Sequence, residues 1–155
     1  MPKYLKRIFS DAEARRRHGE VIGEIRRKPF LLGVPSSSRI QTIQGTRLRC
    51  GSHTIEPDLI VVYGDTHCNE IILVEVKYGG GEDTLRKAYD QLCLMDEYVR
   101  NYPDNIVQQI SKSGVQLHSS YHLSTMCAYR IGRRIERFTL DNLPLCLRNH
   151  ILIRD

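Results

Sequence analysis

Long apolar runs are missing from this 155-residue chain. The longest, such as residues 59–63, span about five residues. A membrane-spanning helix needs about 20, so none is expected. The opening stretch MPKYLKRIFSDAEARRR lacks the apolar centre of a secretory signal, which points to an intracellular protein. Paired cysteines are missing too. Cys50, Cys68, Cys93, Cys127 and Cys146 are odd in number, widely spaced and without a CxxC pair, as for reduced thiols inside a cell. Two Cys and two His could form a zinc set, Cys50-x2-His53 with His67-Cys68. Neighbours in a strand point to opposite faces, however, which argues against His67 and Cys68 sharing a metal. With 11 Gly and 6 Pro the chain is neither linker-rich nor of low complexity.

What is present is ordinary for a globular chain: 41% apolar and 26% charged residues. The length fits a single domain over 1–155. A domain of this size buries roughly 68–70% of its unfolded surface, enough to fold without disulfides or a structural metal. The net charge of +5 is unevenly spread. Residues 51–105 carry eleven acids against four bases, and the flanks on both sides are basic. Basic flanks suit a polyanion, since Lys and Arg release counterions from phosphates. An acidic centre repels phosphate unless a divalent cation sits in it. Aromatics are only 7%, so reading a single strand by base stacking is not expected.

Hydrophobic periodicity predicts a helix over 11–28, with Ser10 or Asp11 as cap, Glu13 completing a capping box, and Ala14, Val21, Ile22 and Ile25 as its apolar stripe. Residues 29–38 read as a loop. Alternation over 39–49 predicts a half-buried strand with a bulge at Gly45. Residues 55–63 and 69–78 read as two strands hairpin-connected about residues 64–69, both apolar enough to lie centrally. Residues 82–100 predict a second helix with Leu85, Ala88, Leu92, Met95 and Val99 inward, stopped at Tyr102-Pro103. Residues 105–120 fit no single pattern. Residues 122–129 read as a further strand, followed by a mixed tail. The order α-β-β-β-α-β predicts an α/β (α+β) fold with helices flanking a mixed sheet.

Polarity inside the central strands is the unusual feature. Glu75 and Lys77 are two apart and share a face, while Val74 and Val76 take the other. Burying such groups is costly unless they pair or bind a metal. Hairpin pairing would bring Asp58, just after Pro57, near Glu75. Two close carboxylates raise each other's pKa, and a divalent cation with oxygen ligands relieves this, as Mg²⁺ does.

Pro57-Asp58, sixteen residues, then Glu75-Val76-Lys77 resembles the signature of the PD-(D/E)xK nuclease superfamily, the restriction-endonuclease-like enzymes. The resemblance implies an αβββαβ core covering residues 11–130. It implies that Asp58, Glu75 and the carbonyl of Val76 hold Mg²⁺, with Mn²⁺ as a substitute, and that Lys77 positions or activates the attacking water. Some members carry a further acid on the first helix; Glu20 is the choice here, with Glu24 and Glu13 as rivals. Gln91 resembles a glutamine that some relatives place beside the metal, although position 95 is Met where the fuller pattern has Tyr. The implied activity is hydrolysis of DNA phosphodiesters. Arg15, Arg16, Arg130, Arg133 and Arg134 are then the backbone contacts, with Arg137 nearby. A homodimer would suit paired cuts.

Other readings are open. The fold could serve as a non-catalytic nucleic-acid or protein-interaction module. His118 and His122 could cleave RNA without metal. Gly79-Gly80-Gly81 precedes a helix but lacks the GK[ST] ending of a phosphate-binding P-loop, and is expected to form a loop near the active site.

Overall fold

The computed structural model describes residues 3–36, 39–64, 67–118 and 120–148. Helix α1 spans Lys3–Arg27 and a short 3₁₀ turn follows at Pro29–Leu32. Strand β1 spans Arg39–Gln44, β2 Leu48–Cys50, β3 His53–Ile55, β4 Leu59–Gly64 and β5 Asn69–Lys77. Helices α2 (Glu82–Asn101) and α3 (Pro103–Lys112) precede β6 (Tyr121–Ile131) and β7 (Arg134–Phe138). Among the described residues, no helix is long and apolar enough to cross a membrane.

Five strands form one mixed sheet in the order β1-β4-β5-β6-β7. All neighbours are antiparallel except β5 and β6, which run parallel and are joined through α2 and α3. Parallel strands need such a crossover. The period of two then sorts side chains into two layers. Leu59, Val61, Ile72, Val74, Val76 and Ala128 pack with Val21, Ile22 and Ile25 of α1. Ile60, Val62, Ile71, Leu73 and Cys127 pack with Leu85, Ala88, Leu92 and Met95 of α2 and with Ile106 and Ile110 of α3. Helices thus cover both faces, and the architecture is α+β as expected.

The elements differ from the sequence expectation in several places. The strand expected over 55–63 begins only at Leu59: Ile55 belongs to β3, and residues 56–58, with Pro57 and Asp58, lie outside any strand. Helix α1 starts near Lys3 and runs through Ser10 and Asp11, so the capping box does not mark its start. No Pro or Gly interrupts residues 3–18, and a Ser or Asp inside an exposed helix costs little. The strand predicted over 39–49 ends at Gln44. Gly45 adopts a left-handed φ of 70°, which turns the chain away instead of bulging it. Residues 48–55 then form a separate two-stranded hairpin, β2-β3. Its Arg49 exchanges hydrogen bonds with the Gln109 side chain on α3, at 2.8 Å each way. Finally, Pro103 opens α3 at its first turn, where its missing N–H costs nothing.

Candidate active site at the end of the central strands

Strands β4 and β5 pair from Leu59↔Val74 to Gly64↔Asn69. The ladder stops at Leu59, while β5 runs on to Lys77. Val76 therefore extends past its partner strand, and side chains take the vacant backbone positions. Its N–H donates to Asp58 Oδ2 at 2.8 Å. Its carbonyl lies 2.9 Å from His18 Nε2 on α1. His18 Nε2 is also 3.3 Å from Asp58 Oδ2. One helix residue, one strand-entry carboxylate and one backbone carbonyl are thus gathered at a single point.

Glu75 and Lys77 share the face predicted for them, with Lys77 Nζ 3.2 Å from Glu75 Oε1. The Glu75 side chain is only 9% exposed. Burial pushes its carboxyl up to about 7 from the usual 4.5; the Asp58 charge and a hydrogen bond with Asp58 add to this, and Lys77 opposes it. His18 is raised above its ordinary pKa chiefly by its hydrogen bond to Asp58, against the effect of burial. Cys127, across from Glu75 on β6, is fully buried, and burial drives its thiol far up, which makes it unreactive.

Two cavities open onto this cluster. One of about 420 Å³ is lined by Ala14, Arg15, His18, Lys77, Tyr78, Gly79 and Thr84. The other, about 250 Å³, brings Gln91 alongside Glu75, between α2 and the β2-β3 hairpin. Asp58, Glu75, Lys77 and the Val76 carbonyl therefore lie together, and Gln91 and Arg15 border them.

The first-helix acid does not join them. Glu20 pairs with Arg16 at 2.6 Å and lines a separate cavity with Tyr78 and Arg130. It lies two residues from His18, about 200° around the helix. Its rivals are engaged as well: Glu24 pairs with Arg130, and Glu13 with Arg16 and Arg17. His18 is the α1 residue at the site, and sequence reasoning missed it. Its position was readable, because 14, 18, 21, 22 and 25 form one continuous helical stripe. Of the other arginines, Arg130 is half-buried at the Glu24 pair, while Arg133 and Arg134 are exposed at the β6–β7 turn.

The remaining candidates separate from this cluster. Cys50 is buried in the core beneath α2. Among the described residues, no three His, Cys, Asp or Glu side chains form a ready-made metal group, and the Cys50/His53/His67/Cys68 set is not one. His122 Nδ1 sits 2.8 Å from Glu70 near the start of β5, and His118 lines a different open groove with Tyr121 and Asp104. Gly79 lines the site cavity, as expected for the glycine loop.

Asp58, Glu75 and the Val76 carbonyl are oxygen donors of the kind Mg²⁺ or Mn²⁺ takes, whereas the His18 imidazole is a donor that softer cations prefer. The Glu75 carboxyl, raised first by burial and then by the Asp58 charge beside it, is the observation that speaks for the fit. At present Asp58 Oδ2 is held by the Val76 N–H and by His18, so coordination would replace the His18 contacts. Comparison of the chain with family models, curated proteins and solved structures found no match.

Proposed function

We propose that this chain is a metal-dependent nuclease of the PD-(D/E)xK, restriction-endonuclease-like type, acting on DNA phosphodiesters. The observation that carries the reading is the meeting of Asp58, Glu75 and Lys77 at the end of β4 and β5, with Glu75 buried and its pKa raised. The order α1, β1, β4, β5, α2, β6 supports it, because it repeats the αβββαβ core that the resemblance implies.

In this reading Asp58, Glu75, the Val76 carbonyl and His18 hold the cation. When bound, Mg²⁺ or Mn²⁺ supplies a water of lowered pKa and charge stabilisation at the scissile phosphate. Glu75 meets the cation in its ionised form, which the Lys77 ammonium favours. Lys77 Nζ, beside Glu75 and facing the His18 cavity, would position or activate the attacking water. Arg15 at the rim of that cavity faces the strand.

Plasmid digestion with Mg²⁺, with Mn²⁺ and with EDTA tests the reading. Cleavage should need the cation and be abolished by Asp58→Ala, Glu75→Ala and Lys77→Ala with the fold intact. Full cleavage by Glu75→Ala would remove the assignment. A second reading, a binding module without catalysis, draws support from the hydrogen bonds that already satisfy Asp58 through Val76 and His18. It predicts nucleic-acid or protein binding indifferent to Mg²⁺.

A further inference from the structure

We propose a second phosphate-binding subsite, formed by Arg17 and Arg130 on the far side of Tyr78 from the His18–Lys77 cavity; the proposal rests on the nucleic-acid reading above and gives its strand a path. The subsite is a cavity of about 280 Å³ lined by Arg16, Arg17, Glu20, Tyr78, Arg130 and Gly132. It takes the oxyanion of a phosphate in the bound strand other than the one being cut.

The donors at this cavity are unequal. Arg16 is the most engaged: Nε, Nη1 and Nη2 each bond to Glu13 or Glu20, using three of its five N–H groups. Arg17 gives only Nε to Glu13 among the described contacts, and its guanidinium lies 5.9 Å from the centre of the Tyr78 ring. Arg130 gives Nη2 to Glu24, and its unpartnered Nε is closed off from solvent, so only the remaining N–H groups at the tip of its guanidinium can meet a ligand. Arg17 and Arg130 therefore hold N–H groups that no acceptor uses. Unused guanidinium donors suit phosphate oxygens, which accept strong charge-assisted bonds. Glu13, Glu20 and Glu24 balance the three positive charges, so the cavity offers held, directed donors more than a strong field. It should bind weakly alone and matter for a strand already anchored next door.

Its location makes that anchoring direct. Tyr78 follows Lys77 and lines both cavities. Adjacent residues of α1 serve the two: His18 one, Arg17 the other. A strand lying in the His18–Lys77 cavity needs only to cross Tyr78 to present its next phosphates to Arg17 and Arg130.

The test is fluorescence-anisotropy titration of labelled single-stranded and duplex oligonucleotides in EDTA, over a salt series. Arg17→Gln should weaken binding about 5- to 10-fold and lower the slope of log K against log salt by about 0.7–0.9, one phosphate contact. KM for cleavage should rise by a similar factor. Arg130→Lys should weaken binding in the same direction, and it keeps a positive charge beside Glu24, so the α1–β6 contact survives. Arg100→Gln, on an exposed α2 side chain, is the control. A larger effect on 5′-phosphorylated than on 5′-hydroxyl strands assigns the subsite to a terminal phosphate, and an equal effect to an internal one; both support it. Unchanged affinity and slope in Arg17→Gln overturn it, even if wild type cleaves DNA normally. Binding that depends on Arg17, with no cleavage in Mg²⁺ or Mn²⁺, would instead retain the subsite and remove the nuclease.

Discussion

His18 Nε2, on the first helix, lies 3.3 Å from Asp58 Oδ2 at the entry to β4. That contact carries α1 into the candidate site. The same nitrogen is 2.9 Å from the Val76 carbonyl, to which it donates a hydrogen bond, and the proposed nuclease reading assigns that carbonyl to the cation. If a cation binds there as proposed, proton and metal would compete for that one nitrogen.

Replacing His18 tests that competition. His18→Ala should weaken Mn²⁺ affinity and slow cleavage by about 10- to 100-fold, the usual effect of losing a metal ligand or its orienting partner. Isothermal titration with Mn²⁺ on wild type and variant reads the first effect directly. In wild type, binding should also release protons, seen as a dependence of the heat on buffer ionisation. An unaltered Mn²⁺ isotherm in His18→Ala would reduce His18 to a structural hydrogen bond.

Glu75 predicts a pH dependence of stability. Its pKa in the folded chain is raised to about 7, above the usual 4.5, so folding favours its proton. That stabilisation is complete below about 4.5 and is lost as pH rises through about 7. His18, also raised, has the same sign and loses its contribution as pH climbs past its own folded-state pKa. Glu13, held down to about 2 by Arg16 and Arg17, has the opposite sign but acts only below its usual 4.5. In EDTA, the melting temperature should therefore fall between about pH 5 and pH 8. Glu75→Gln should flatten the fall and melt higher than wild type at the alkaline end, while losing cleavage. Parallel melting curves for the two proteins across that range would contradict the assigned cause.

The reach of sequence reasoning follows from which contacts are local. Glu75 and Lys77 were legible because a strand's period of two puts them on one face. Asp58 was legible because hairpin pairing fixes its partner once the turn is located; Leu59↔Val74 is the last rung before it. The helix contribution was not legible in the same way. The acids of α1 are taken up by neighbours one helical turn away, as with Glu13, Arg16 and Glu20. A half-buried imidazole on the apolar stripe reached the site instead. Residues 39–55 depart from the expected strand because Gly45 reads equally as a bulge or as a turn, and only the separate β2-β3 pairing decides between them. Helix α3 was obscured by its ten-residue length and by Pro103, which can end one helix or begin the next.

The layer between α1 and the sheet supports His18, and its packing can be tested separately from chemistry. Ile25 is fully buried there, two turns along the helix from His18. Ile25→Ala should destabilise the chain by about 2–5 kcal/mol, through lost burial and an unfilled cavity. Guanidinium unfolding followed by circular dichroism measures this. At temperatures where the variant remains folded, cleavage should persist at a reduced rate. A loss below about 1 kcal/mol would mean that α1 is held less firmly than this packing implies.

The glycine loop gives the last test, because Gly79 and Gly80 are neighbours with different surroundings. A Cβ on Gly79 would meet nothing within 4 Å, whereas one on Gly80 would fall 2.6 Å from Ile131 Cγ1 and 2.8 Å from its Cδ1. Ile131 follows Arg130 at the end of β6, so the close approach at Gly80 ties the loop after Lys77 to the strand that carries Arg130. Gly80→Ala should force the exposed Ile131 side chain out of its rotamer, at a cost of about 0.5–1.5 kcal/mol. Gly79→Ala should leave stability within about 0.5 kcal/mol of wild type. Thermal melts and binding titrations on the pair separate a steric requirement at one position from a general need for flexibility, which would penalise both substitutions alike.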